Sequence, residues 1–346
     1  MKLRGPASFP TPSRVLIVQV RRIGDVLLDT PALRAIATRF PEAKIDFIAE
    51  SPSDEGMWGN PRIDRLLLAP RGSGVRDFLK FVSKIREHRY DWTIDFLSNP
   101  RSAQFAFCSG ATVRVGLDRR GRRWAYTHRI IEEAADRDLY AVDLRLKALE
   151  IMGVPPAGRE LEIYADTIDT VERDRVDAAV ALLPKGAPVV ALSTGTPNPG
   201  KLYPPDLTAE VIAGLRRAGF SVIVTAGPGE TPLAEDALKL VKDPPPLLRG
   251  ARVPTLAALY RHVDLYVGPD SSPKHVAVAC GLPTVTIFGL ARVANWNDSD
   301  NPRNVVVTAP GGIPEGIDEA EFVRRGYLRT ISPQVVVQAA KDVLGK

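Results

Sequence analysis

"LYVGPD" (265–270) runs directly into "SSPKHVAVACGLPTVTIFG" (271–289), and together they read as a strand, a tight turn, a helix and a second strand. The first strand ends at Gly268. Pro269, Asp270, Ser271 and Ser272 turn the chain into a helix that starts near Pro273. A strand, a helix and a second strand in so short a space make a βαβ unit, and βαβ units build parallel sheets. Serines at the N-cap with a proline in the first turn suit a helix start. The free N–H groups there, with the positive end of the helix dipole, form an anion site for which a diphosphate is the expected guest. Asp270 is a poor neighbour for phosphate and better suited to accept hydrogen bonds from sugar hydroxyls. The plainer alternative is simple capping by Asp270 and the serines, with His275 a satisfied surface histidine.

The same alternation runs outward in both directions. Upstream, strands are expected at 14–20, 44–50, 91–97 and 113–117, with helices from Pro31 to about Phe40, over 77–90 and over 139–154. "RVLIVQV" (14–20) is a continuous apolar run, as expected of a strand buried on both faces. Residues 153–168 are punctuated by Pro and Gly and read as an inter-domain connection. The alternation then restarts, with strands at 188–193, 220–226, 264–268, 284–289 and 304–308. Helices are expected at 170–183, 206–218, 231–242, 254–261, 273–280 and 332–344. The fold class is therefore α/β, with two Rossmann-like parallel-sheet domains facing a cleft. The first spans 14–165 and the second 166–330. Residues 331–346 form a C-terminal helix free to pack back on the first domain. Segments 51–76 and 309–330 carry no assignment.

Composition narrows the class. Of 346 residues, 45% are hydrophobic and 25% charged, an ordinary globular balance. No apolar run approaches the ~20 residues of a membrane helix. The opening "MKLRGPASFPTPSR" lacks the apolar centre of a signal peptide and reads as a disordered lead-in. Cys108 and Cys280 sit in apolar surroundings far apart, so two buried free thiols in a reducing cytoplasm are expected. No Cys/His cluster has metal-ligand spacing, and no metal is expected. Charge is uneven: residues 1–155 hold 26 Lys and Arg against 19 Asp and Glu, and residues 156–346 hold 20 against 22. The basic first half points to an anionic partner.

Ligands of such sheets bind beyond the carboxyl ends of the strands, so the loops there matter most. "RRIGD" (21–25) has one glycine and a carboxylate, and so does not suit a phosphate. "LSTGTPNPGKLYPPD" (192–206) presents Thr194 and one lysine, Lys201, able to reach phosphates as a point charge. "TAGPGE" (225–230) offers Gly227 for close backbone approach and Glu230 to accept from ribose hydroxyls. "VRVGLDRRGRRWAYTHR" (113–129) sets Arg120, Arg122 and Arg123 beside Trp124 and Tyr126. Arginines among aromatics bind nucleic acid or the anionic headgroup of a lipid, or form a solvated face.

From about residue 14 to 344 these strings resemble the bacterial lipopolysaccharide heptosyltransferases of glycosyltransferase family 9. The strings are "RIGDVLLDTPALRAI", "FPEAKIDFIAE", "YDWTIDFL", "KLYP", "AGPGE" and the quoted stretch from Val267 to Gly289. The "RIGD" and "IFG" regions, with Asp270 and the "SSPKH" that follows it, are most similar to the heptosyltransferase III branch. The resemblance implies the GT-B fold, with the acceptor on the first domain and the nucleotide sugar on the second. It implies inverting, metal-independent transfer of a heptose from ADP-heptose, with no cofactor, to the growing lipopolysaccharide inner core. The enzyme would be cytoplasmic and peripheral on the inner face of the cytoplasmic membrane. Its partners would be the nucleotide sugar and the anionic lipopolysaccharide precursor, and no nucleic acid is expected. By the same resemblance Asp25 falls on the catalytic base, Lys201 on the lysine that contacts the diphosphate, and Glu230 on the ribose-binding acid. Asp270, Ser271, Ser272 and His275 fall on the donor motif, with Thr194 and Gly227 also at the donor. Arg21, Arg22, Arg120, Arg122 and Arg123 are placed to hold acceptor carboxylate or phosphate. The chain departs from the family at Ser272, where a glycine is usual, and at Leu290 and Ala291, where a threonine commonly follows the Phe-Gly pair. Arg292 or Asn295 can supply that contact. A transferase for another nucleotide sugar or glycan, and a binding-only paralogue, are the other readings.

Overall fold

The computed structural model describes all residues except 7, 73, 165–169, 197 and 315. The chain divides into two compact units, residues 1–164 and 165–346. The end of the expected connection, 165–168, lies outside the described residues, as does Pro197 of the 192–206 loop.

The first unit runs β1 (Lys2–Arg4), β2 (Arg14–Val18), α1 (Ile23–Leu27), α2 (Thr30–Arg39), β3 (Lys44–Ala49) and β4 (Arg65–Leu68). It continues with α3 (Val75–Arg86), β5 (Trp92–Asp95), α4 (Pro100–Cys108), β6 (Val113–Leu117), β7 (His128–Ile131) and α5 (Ala141–Ile151). Its sheet order is β1-β7-β6-β5-β2-β3-β4. Every pairing is parallel except β1 with β7. Val15 to Val18 of the central β2 are fully buried, as a strand covered on both faces requires.

The second unit runs α6 (Thr170–Ala181), β8 (Val189–Ser193), α7 (Pro205–Arg217), β9 (Ser221–Thr225), α8 (Thr231–Leu238), β10 (Leu247–Leu248) and α9 (Val253–Tyr260). It ends with β11 (Leu265–Pro269), α10 (Ser272–Ala279), β12 (Thr284–Ile287), α11 (Val293–Trp296), β13 (Asn304–Val307), α12 (Glu319–Arg325) and α13 (Pro333–Val343). The sheet order is β10-β9-β8-β11-β12-β13, parallel throughout.

Both orders reverse direction at one point. From β2 the chain moves outward to β3 and β4, then returns to place β5 on the other side of β2. From β8 it moves to β9 and β10, then returns to place β11 beside β8. At such a reversal two successive connections leave on opposite faces of the sheet, and the carboxyl ends of the two strands open a crevice. The two pairs of loops at those points are 19–25 with 96–99, and 194–201 with 270–275.

Several expectations need correction. The lead-in is not disordered over 2–4: β1 pairs with the edge strand β7, Lys2 opposite Ile131, and so covers a row of backbone groups that an edge leaves open. The expected connection is bound to the first unit over its first part. Glu162 accepts from Arg34 at 2.7 Å and from Arg62 at 2.5 Å, and Arg62 also reaches the Tyr164 hydroxyl at 2.9 Å. The C-terminal helix α13 is part of the second unit. It packs on α7, β12 and β13, because Val336 and Ala340 complete the apolar core of the second unit. Cys108 and Cys280 are free thiols, partly rather than fully buried. No helix among the described residues is long and apolar enough to cross a membrane.

Candidate active site

In the second unit the loops after β8 and β11 meet at one contact. The Lys201 ammonium donates to the Asp270 carboxylate at 2.7 Å and to the Asp270 carbonyl at 3.0 Å. The loop after β12 also packs on this turn, where glycine is required: a Cβ at Gly289 would stand 1.9 Å from the Gly200 carbonyl oxygen. Asp270 is 2% exposed, and its other oxygen, Oδ1, accepts no hydrogen bond among the described residues. That oxygen has Lys274 Nζ at 3.9 Å and His275 Nε2 at 3.8 Å. Thr194, at the end of β8, is likewise buried with its hydroxyl unpaired. Buried polar atoms are rarely left so in folded proteins, and a bound polar ligand is one partner that would satisfy them.

Ser271 is the N-cap of α10, with Pro273 in the first turn, but its side chain makes no capping hydrogen bond. The simple capping alternative therefore lacks its bond. Ser272 opens the helix and is partly exposed. His275 is buried, its ring edge-on to Trp296 at 6.4 Å.

Glu230 lies at the start of α8, and its carboxylate accepts from the Gly227 N–H at 2.9 Å. Two glycines leave it room. A Cβ would stand 2.0 Å from Glu230 Oε2 at Gly195 and 2.9 Å from it at Gly227. Burial pushes the Glu230 carboxyl up, and the Gly227 N–H partly offsets this.

Lys274, 3.9 Å from Asp270, is a candidate residue that the sequence did not single out. It is 1% exposed, donates to the Trp296 carbonyl and lies 5.6 Å from the Phe288 ring centroid. Burial lowers its ammonium to about 8, and Asp270 opposes the shift. The available signal was a lysine in the first turn of a helix, where the dipole disfavours a cation, followed by an apolar run.

In the first unit Asp25 follows β2 at the third position of α1. Its Oδ2 accepts from the Arg22 N–H at 3.3 Å, a capping contact at the start of that helix. Its Oδ1 faces Arg145 of α5 at 3.5 Å. Arg145 also binds Asp29, which is fully buried. Burial raises Asp29 to about 7 even with Arg145 pulling it down. Beside these, at the end of β5, Asp95 accepts from the Ser98 N–H at 2.8 Å and the Tyr126 hydroxyl at 2.7 Å. Burial carries Asp95 to about 6, against those bonds. Tyr126 reaches it only because Gly116 has no side chain; a Cβ there would be 2.4 Å from the ring. Asp29, Asp95 and Arg145 are not legible in the sequence because their meeting depends on strand order.

The arginines separate into two groups. Arg21, exposed at the end of β2, lies 3.8 Å from buried Glu50, which also holds Arg101 at 2.8 Å and Arg71 at 3.7 Å. Arg22 is exposed. Arg120, Arg122 and Arg123 lie beyond β6, two strands from β2, or about 10 Å across the sheet. Arg123 is bound to Asp118, and Arg120 is exposed. The structure therefore does not build the five into one cluster. Among the described residues no group of three or more His, Cys, Asp or Glu is placed to hold a metal ion.

Two parallel sheets, each with its polar residues at the carboxyl ends of the strands beside the reversal of strand order, define a protein of the GT-B class. The chain belongs to glycosyltransferase family 9 (heptosyltransferase), whose family model matches residues 78–311. It is 25% identical to lipopolysaccharide heptosyltransferase 3 of Escherichia coli strain K12, over 94% of this chain and 96% of that one. In fold it is similar to a glycosyl transferase family 9 protein of Veillonella parvula, with a TM-score of 0.83 at 20% identity over 96% and 97% of the two chains. It is also similar to the ADP-heptose lipopolysaccharide heptosyltransferase II of E. coli, with a TM-score of 0.76 at 18% identity over 96% and 98%.

Proposed function

We propose that this glycosyltransferase moves a heptose from ADP-heptose to the inner core of lipopolysaccharide, with inversion at the anomeric carbon. The reading follows from family membership and from the names of the relatives. The observation that carries it in this chain is the Lys201–Asp270 contact beside the uncapped start of α10. An ammonium has three donors. Two of Lys201's are on Asp270, which fixes the group and leaves the third for a phosphate oxygen of the donor. Lys201 and the N–H groups of the α10 start then stabilise the departing diphosphate as its charge develops. Thr194, Asp270, Ser271, Ser272 and His275 hold the rest of the donor. Glu230, between Gly195 and Gly227, accepts from the ribose hydroxyls.

Asp25 takes the proton of the acceptor hydroxyl as that oxygen attacks the anomeric carbon. Arg145 and the Arg22 N–H hold its carboxylate. With Asp25 as the base, a single displacement at the anomeric carbon inverts its configuration. Arg21, Arg22, Arg120, Arg122 and Arg123 are assigned to the anionic acceptor, which the enzyme meets in the cytoplasm at the inner face of the membrane. Nucleotide-dependent thermal stabilisation tests the donor. ADP is expected to raise the melting temperature, with UDP and GDP giving little. No shift with ADP, or an equal one with all three, contradicts the reading.

A further inference from the structure

The geometry points to the face of the first unit formed by α3, α4 and the turn around Trp124 as the surface that seats on an anionic lipid bilayer. Among the described residues, the unit's five exposed large apolar side chains, Leu68, Val75, Leu79, Phe107 and Trp124, all lie on β4, α3, α4 and that turn. Val75 is 75% exposed, Leu79 58% and Trp124 52%. The helices α3 and α4 lie side by side on one face of the sheet. Phe81 of α3 and Phe105 of α4 pack edge to face at 5.2 Å over a common core with Leu16, Val18 and Leu67. Their solvent sides therefore point the same way. Trp124 continues this surface, packed on Phe107 at 5.2 Å.

Charge identifies the occupant. Val75 and Leu79 are four residues apart and share one stripe of α3. Arg76, Lys80 and Lys84 repeat at the same spacing on the adjacent stripe, and all three are exposed. Arg119, Arg120 and Arg123 are exposed around Trp124. The exposed acids on α3 and just after it are Asp77 and Glu87. An amphipathic helix with an apolar stripe bordered by Lys and Arg, beside an exposed tryptophan, matches the headgroup boundary of a negatively charged leaflet. A lipid-borne acceptor has to be met at such a boundary, so the inference rests on the proposed function for its purpose and on α3 and α4 for its geometry.

Vesicle co-sedimentation of the full chain is the test. Wild type is expected to bind vesicles of equal parts phosphatidylglycerol and phosphatidylcholine, to bind phosphatidylcholine alone weakly, and to be released by high salt. Leu79→Glu with Trp124→Glu should weaken binding about tenfold or more. Arg76→Glu with Lys80→Glu should do the same, and these surface sites leave the fold intact. The ADP thermal shift of both variants should match wild type. Equal binding to neutral vesicles, or unchanged binding by both variants, overturns the inference. So does a wild type that ignores vesicles and binds an RNA oligonucleotide. A missing ADP shift in wild type beside intact vesicle binding would sink the proposed function alone.

Discussion

Asp270 has Lys201 on one carboxylate oxygen and Lys274 and His275 near the other. The sequence pattern made Asp270, Lys201 and Glu230 legible, because each follows a strand end in a recognisable string. Lys274 was hidden, because its environment comes from Trp296 and Phe288 across a loop. Its lowered ammonium has a consequence for stability. The folded state gives up the proton near pH 8, the unfolded chain only near 10.4. Between those values the unfolded state binds more protons, so the folded state gains stability as pH rises. Wild type should therefore gain on Lys274→Met between pH 8 and 10, by an amount on the order of 3 kcal/mol at most. Urea unfolding at several pH values measures it, and a pH-independent difference between the two proteins contradicts it.

At the scale of elements, the parallel strands were legible wherever an apolar run ended at a glycine or a turn. The nine expected strands match β2, β3, β5, β6, β8, β9, β11, β12 and β13 within two residues, while the parallel strands β4, β7 and β10 were not expected. Short or partly exposed elements were not legible. β4 has one buried residue in four, β1 needs β7 as its partner, and α12 follows a glycine-rich loop. Strand order was also invisible, since nothing local states which neighbour a strand will take. The glycines show how elements leave room for the site. Gly195 sits just beyond β8, where any side chain would collide with Glu230 at the start of α8. Gly195→Ala is expected to displace Glu230 and to weaken ADP binding about tenfold, with a stability cost of about 1–3 kcal/mol. Calorimetric titration with ADP decides it, and an unchanged affinity would remove Glu230 from the donor site.

The whole molecule repeats one device. In each unit the titratable residues of interest gather where the strand order reverses, Asp25 with Asp29 and Asp95 in the first, Lys201 with Asp270 in the second. The charge asymmetry between the halves was legible from composition alone. Its physical form was not, because the arginines divide between the Glu50 cluster and the turn beyond β6. The carboxylate in "RRIGD" carries the proposed chemistry. Transfer of heptose from ADP-heptose to a lipopolysaccharide core acceptor, compared between wild type and Asp25→Asn at matched ADP affinity, tests it most directly. The variant should bind ADP as wild type does and lose transfer by about 100- to 10,000-fold in kcat. An Asp25→Asn enzyme that transfers heptose at the wild-type rate would contradict the assignment of the base.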